Sequence, residues 1–141
     1  MNVNGEIIIV EDDLDDQDFL ADIFQSLGVD NKITFFDDPT KVVPYLSRGV
    51  VHPFMILSDI NMPKLDGFEL RNMILSDQNL KHKCFPYIFL STSDAPEYVN
   101  RAYGLSAYGY FRKEYNFTTY QEVIASIISY WKKSCKPSGV F

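Results

Sequence analysis

The chain has 141 residues, 46% of them hydrophobic and 23% charged, with a formal net charge of −6. That size suits one domain with a core of its own and argues against a chain disordered throughout. It has no long basic tract and no apolar run of membrane-spanning length, so neither a nucleic-acid partner nor a membrane is expected. Cys84 and Cys135 stand far apart with no CxxC spacing, which excludes a disulfide framework or a zinc motif and suits reduced thiols in the cytoplasm. The opening "MNVNGEIIIV" lacks the charged start of a signal peptide.

Short apolar runs alternate with helical patterns along the chain. "GEIIIV" (5–10) reads as the first strand. "DLDDQDFLADIFQSLG" (13–28) places Phe19, Leu20, Ile23, Phe24 and Leu27 on one helical face, with Gly28 as its stop. "KITFF" (32–36) is the second strand. Asp38-Pro39 then reads as an N-cap followed by proline at the first helical position. The second helix should run to about Arg48, kinked or started late by Pro44.

"PFMILSD" (53–59) is the third strand, and "DGFELRNMILSD" (66–77) the third helix. "PYIFLS" (86–91) is the fourth strand. Asp94 with Glu97 makes a capping-box-like start for a fourth helix to about Tyr103. "YGYFR" (108–112) is the fifth strand. Thr118 with Gln121 opens a fifth helix ending near Lys133, and 135–141 should form a frayed tail after a domain of 5–134. Five strand–helix pairs with near-continuous apolar strands point to the α/β class, a parallel sheet covered on both faces by right-handed crossovers.

In such a sheet, sites form outside the carboxyl ends of the strands. There the first strand ends in Glu11 and Asp12, the third in Asp59, the fourth in Ser91 and Thr92, and the fifth in Lys113. Taken singly these are ordinary residues: Asp13 as a helix cap, Asp66-Gly67 as turn chemistry, Ser91 as a loop hydroxyl, Lys113 as a surface charge. Taken together they fall at one end of different strands. Were the first and third strands neighbours, three carboxylates would crowd and raise one another's pKa, a situation relieved by a proton, a lysine or a hard cation such as Mg2+. A carboxylate beside a cation and an ammonium is placed to accept a phosphoryl group, with Ser91 and Lys113 meeting its oxygens.

The pattern resembles the receiver domain of two-component response regulators, of the single-domain chemotaxis-regulator type. The resemblance covers roughly 5–134 and rests on "IIIVEDD", "ILSDINMPKLDG", "PYIFLSTSD" and "GYFRK". It implies a (βα)5 flavodoxin-like three-layer sandwich whose five-stranded parallel sheet has the order 2-1-3-4-5. It further implies Asp59 as phosphoacceptor, Glu11 and Asp12 as the acidic pair that organises Mg2+, and the Asn61 backbone carbonyl completing the metal site. Ser91 matches the switch hydroxyl, Tyr110 the aromatic residue that changes rotamer with it, and Lys113 the family's lysine.

Three positions depart from the family pattern. Glu114 stands where proline usually follows the lysine. A cis bond before a non-proline residue costs about 2.5–4 kcal/mol, so the 113–114 bond is either trans in a reshaped loop or cis and strained. Thr92 replaces a small residue and should narrow access to Asp59. Ser106 replaces the usual glycine before the last strand; a left-handed backbone there would cost on the order of 1 kcal/mol, unless Gly104 ends the helix earlier.

No segment large enough for a DNA-binding module follows the fifth helix, so output is expected from the receiver surface or by passing the phosphoryl group onward. Eleven of the 21 Phe, Tyr and Trp lie in 98–141, which points to a partner face of helix 4, strand 5 and helix 5. The implied partners are a sensor histidine kinase or histidine phosphotransfer protein, a downstream protein target, and a second copy in a homodimer through that face. The rival readings are a phosphorelay carrier, an unphosphorylated scaffold, and a haloacid-dehalogenase-type phosphohydrolase. The last needs Asp-x-Asp just after the first strand, where this chain reads Glu-Asp-Asp.

Overall fold

The computed structural model describes residues 2–135, so the expected tail falls almost wholly outside the described residues. Five strands, β1 (Ile7–Val10), β2 (Ile33–Phe36), β3 (Met55–Ser58), β4 (Tyr87–Ser91) and β5 (Gly109–Arg112), pair in parallel in the order β2-β1-β3-β4-β5. Between and after them come α1 (Leu14–Leu27), α2 (Val42–Leu46), α3 (Gly67–Ser76), α4 (Pro96–Gly104) and α5 (Phe117–Lys133).

Strand periodicity divides the core in two. Side chains alternate faces along a strand. Ile7 and Ile9 therefore pack with Leu20, Ile23 and Phe24 of α1 and Ile124, Ile127 and Ile128 of α5. Ile8 and Val10 pack on the opposite face with Val42 and Leu46 of α2, Phe68, Leu70 and Ile74 of α3, and Ala102 of α4. Every residue of β1, β3 and β4 is buried, which is why those runs carry no polar alternation.

The helix ends show which local signals held. Asp13 caps α1 by accepting from the Asp16 N–H, and Gly28 closes it at φ 62°. Asp66 and Glu69 form a complete capping box on α3. Asp38 accepts from the Thr40 N–H, but Pro39–Lys41 is a 3-10 turn and α2 ends at Leu46, two residues short of Arg48. Two expected caps are corrected. Asp94 does not cap α4; it pairs with Arg112 at 3.2 Å, and α4 starts at Pro96 with no side-chain cap. Thr118 does not open α5; Asn116 caps it by accepting from the Thr119 N–H, and Gln121 donates instead to the Ser26 hydroxyl.

Every peptide bond among the described residues is trans, so the bond before Glu114 is trans. Gly104 lies in α4 and does not take the left-handed position; Ser106 does, at φ 59°. Arg71, buried on α3, holds that turn by donating to the Leu105 and Ser106 carbonyls, both at 3.0 Å. Ser106→Gly should relieve the left-handed strain but add chain entropy to the unfolded state. The expected net gain is about 0.5–1 kcal/mol in a denaturant titration. A neutral or destabilising result would show that the Arg71 clamp, rather than the backbone, sets the cost.

Candidate functional site

Register explains why the acids meet. Val10 lies opposite Ser58 in the β1–β3 ladder, and the Asp59 N–H donates to the Val10 carbonyl at 3.0 Å. Each chain leaves the sheet one residue later, bringing Glu11 and Asp12 beside Asp59. One oxygen from each of these carboxylates lies within 4.8 Å of the others. The Ile60 N–H donates to Asp59 Oδ1 at 2.8 Å, which fixes that carboxylate. Gly67 is required behind it: a Cβ there would sit 2.2 Å from the Asp59 carbonyl oxygen.

Lys113 arrives from the far side. Its N–H donates to the Ser91 carbonyl at 2.7 Å, so β4 and β5 together place it at the same edge. Its ammonium pairs with Glu11, lies 3.0 Å from Asp16 Oδ2 and 3.4 Å from Asp59 Oδ2. Burial alone would depress the lysine. The hydrogen bond to Glu11 and the charges of Asp59 and Glu11 outweigh that and raise it, so the ammonium persists. Burial lifts Glu11 to about 7, against the pull of its Lys113 hydrogen bond and helped by the Asp59 charge. Asp59 is likewise raised, first by burial.

The remaining expected residues line the rim. Ser91 is buried, and its hydroxyl accepts from the Ser93 N–H at 3.1 Å. The Tyr110 hydroxyl donates to the Ser93 carbonyl at 2.5 Å. Thr92 and Asn61 are exposed on the loops after β4 and β3. Two contributors escaped the sequence reading. Asp16 shares Lys113 from the first turn of α1, and Ser93 ties Ser91 to Tyr110. Asp16 carries a faint signal, since it falls one turn past the acidic pair on a helix whose start was legible. Ser93 carries none.

Clustered hard oxygen donors suit a hard divalent cation, and among the described residues the carboxylates of Glu11, Asp12 and Asp59 lie close enough together to share one. The response regulator receiver domain profile matches residues 7–125. This chain belongs to the receiver domain family.

A probable methanogenesis regulatory protein of Methanothrix harundinacea, FilR2, is 28% identical over 129 residues, covering 89% of this chain and 82% of that protein. Chemotaxis protein CheY-3 of Vibrio cholerae is 27% identical over 127 residues, 90% of this chain and 94% of its own. The phosphorylated cyanobacterial phytochrome response regulator RcpA superposes with a TM-score of 0.82 at 26% identity, covering 96% of this chain and 99% of that one. Receiver domains are signalling proteins rather than turnover enzymes. Among the described residues no helix is long and apolar enough to cross a membrane.

The Glu11 shift has a sign. The folded state holds that proton more tightly than the unfolded chain, so its contribution is full below about pH 4.5 and lost as pH rises through about 7. In chelator, wild type should lose stability relative to Glu11→Gln across that window, read as denaturation midpoints. Saturating Mg2+ should stabilise wild type more at about pH 8 than at about pH 5, because protons then no longer compete for the carboxylates. Parallel profiles for the two proteins would assign the pH dependence elsewhere.

Proposed function

We propose that this receiver domain takes a phosphoryl group on Asp59 from a phosphohistidine of a sensor histidine kinase and thereby changes its affinity for a downstream protein. The observation that carries the reading is Asp59 itself, fixed at the sheet edge between an acidic pair and a lysine ammonium. An Asp59 carboxylate oxygen attacks phosphorus, the phosphorus–nitrogen bond breaks, and its electron pair returns to the imidazole. Lys113 is shared among Glu11, Asp16 and Asp59, so it can turn toward the new phosphoryl oxygens without leaving a salt-bridge network. Mg2+, when held by Asp12 and Asp59 with Glu11 and the Asn61 carbonyl, supplies neutralisation of the charge on those oxygens. RcpA, a relative in fold and sequence, was solved phosphorylated. The free thiols of Cys84 and Cys135 suit the cytoplasm, where such a kinase domain would meet it.

Switching passes through Ser93 in this reading. A phosphoryl group draws the Ser91 hydroxyl from the Ser93 N–H, and the Ser93 carbonyl anchors Tyr110. The partner must then prefer one of the two arrangements. Its face is α4, β5 and α5, where Tyr103, Tyr108 and Tyr130 are exposed. Trp131 meets Tyr108 at 5.3 Å and Tyr130 at 4.9 Å between ring centroids, giving a continuous aromatic surface.

Intact mass after incubation with Mg2+ and a small phosphoryl donor, or a histidine kinase if the donor fails, tests the first step. Wild type should gain one phosphoryl group, Asp59→Asn none, and Thr92→Ala should load and hydrolyse faster. Uptake by Asp59→Asn, or none by wild type from any donor, would overturn the assignment. For the output face, joint alanine replacement of Tyr103, Tyr108 and Tyr130 should weaken phosphorylation-dependent association by tenfold or more at an unchanged melting temperature, since aromatic contacts at interfaces each contribute roughly 1–2 kcal/mol. Unaltered association, homodimeric or with a target, would move the interface elsewhere.

A further inference from the structure

We propose that Ser58 and Tyr87, two buried hydroxyls beneath the phosphoacceptor edge, are positioning residues that fix which oxygen of the Asp59 carboxylate faces Lys113. Both side chains are wholly buried, Ser58 as the last residue of β3 and Tyr87 as the first of β4. Ser58 follows Ile56 by two residues and shares its face of the sheet, the face on which Tyr87 packs with Phe68 and Ile74. Apolar side chains would fill both places with no hydroxyl to satisfy, and a hydroxyl is tolerated there only when it is hydrogen-bonded.

The bonds that satisfy them close a circuit around the peptide group joining Asp59 to Ile60. Ser58 Oγ donates to the Asp59 carbonyl at 2.8 Å. The Ile60 N–H, the other half of that peptide, donates to Asp59 Oδ1 at 2.8 Å. The peptide is trans, and a trans peptide is planar, so a grip on its oxygen also aims its N–H. The Ile60 carbonyl accepts in turn from the Gly67 N–H at 2.8 Å. The Tyr87 hydroxyl reaches the Gly67 carbonyl at 3.4 Å and also meets the Ser58 hydroxyl. Tyr87 is itself held in place: its ring centroid lies 5.1 Å from that of Phe89 and 5.1 Å from the Arg71 guanidinium.

The consequence falls on the carboxylate. Oδ1 is taken by the Ile60 N–H, and Oδ2 is the oxygen that lies 3.4 Å from the Lys113 ammonium. Without the Ser58 hydroxyl the peptide can rock, its N–H no longer points at one oxygen, and the carboxylate can turn. Phosphoryl transfer depends on such positioning, so a loosened carboxylate is a slower acceptor. That kinetic consequence rests on the phosphoacceptor reading, whereas the orientation of the carboxylate does not.

Two measurements on wild type, Ser58→Ala, Tyr87→Phe and Thr34→Val test the proposal: amide hydrogen exchange without Mg2+ or donor, and uptake from acetyl phosphate with Mg2+, followed by intact mass. Thr34→Val is the matched control, since it removes a hydroxyl that donates at 2.6 Å to Glu6, ahead of β1 and away from the strand ends that carry Asp59. Ser58→Ala should speed exchange of the Ile60 amide by about 5- to 10-fold relative to the Asp59 amide, which bonds to the Val10 carbonyl and reports the strand itself. Tyr87→Phe, which acts one bond further away, should speed it by about 2- to 5-fold, and Thr34→Val should leave that ratio unchanged. The maximal rate of phosphoryl uptake should fall by about tenfold in Ser58→Ala at an unchanged half-saturating donor concentration, because positioning is lost and donor binding is not. The proposal is overturned by Ile60 exchange that is alike in wild type and Ser58→Ala, or by a loss of uptake rate in Ser58→Ala no larger than in Thr34→Val. Absence of uptake by wild type would overturn the phosphoacceptor reading alone, and the exchange measurement, which needs no donor, would still decide the orientation.

Discussion

One ammonium among carboxylates organises this molecule. Two unit charges 4.8 Å apart repel by about 3–4 kcal/mol at an effective dielectric near 20, so Glu11, Asp12 and Asp59 together would strain the edge of the sheet. Lys113 offsets that by reaching Glu11, Asp16 and Asp59 at once. The result is a largely buried cluster in which one ammonium is shared among three carboxylates. Under the proposed reading, a cation or a phosphoryl group entering here would change the partner Lys113 prefers. The sheet order has the same logic, since only β1 beside β3 and β5 beside β4 brings all four side chains to one edge.

How much of this could be read from the chain depends on whether the signal was local. The buried strands announce themselves as apolar runs, and Asp13, Asp66 and Gly28 act within one turn of where they stand. The run "ILSDINMPKLDG" was legible because several of its constraints are backbone constraints, Gly67 against the Asp59 carbonyl being the sharpest. The failures have one cause. Asp94 and Thr118 satisfy a capping pattern, but Arg112 takes the first and Asn116 lies closer to the true start of α5. A cap read from sequence cannot know its competitors. Asp16 acts through Lys113, 97 positions away, and Ser93 links its local hydrogen bonds to Tyr110, 17 positions away, so no local pattern could carry either role.

Two of the three departures from the family pattern have a structural setting. The bond before Glu114 is trans, and Glu114 lines a cavity of about 260 Å³ together with Asp15 and Tyr120. Ser106 keeps the left-handed turn that glycine would take without strain, and Arg71 holds it by two hydrogen bonds. That arginine is buried beside the Tyr87 ring, 5.1 Å from its centroid, and its hydrogen-bond partners in this turn are backbone carbonyls. Burial lowers its pKa, which is the electrostatic cost of the clamp.

The two ends of α4 are consequently unlike. Its C-terminal turn is tied to α3 through Arg71, and it leads directly into β5. Its N-terminus has no side-chain cap; Pro96 opens it, and the preceding turn hangs on Ser93, whose hydroxyl accepts from the Ala95 N–H at 3.2 Å. Ser93 therefore holds three things together: the Ser91 hydroxyl, the Tyr110 hydroxyl and the entry to α4. Under the proposed reading, a shift of Ser91 toward a phosphoryl group must break or drag all three. The free end of α4 can follow and the clamped end cannot, so the change would appear as a pivot about the Arg71 clamp. Tyr103 lies near that pivot and Tyr110 near the moving end. A partner that spans α4 and β5 would then sense the phosphoryl group as a change in angle across its own footprint, with little change in which residues it touches.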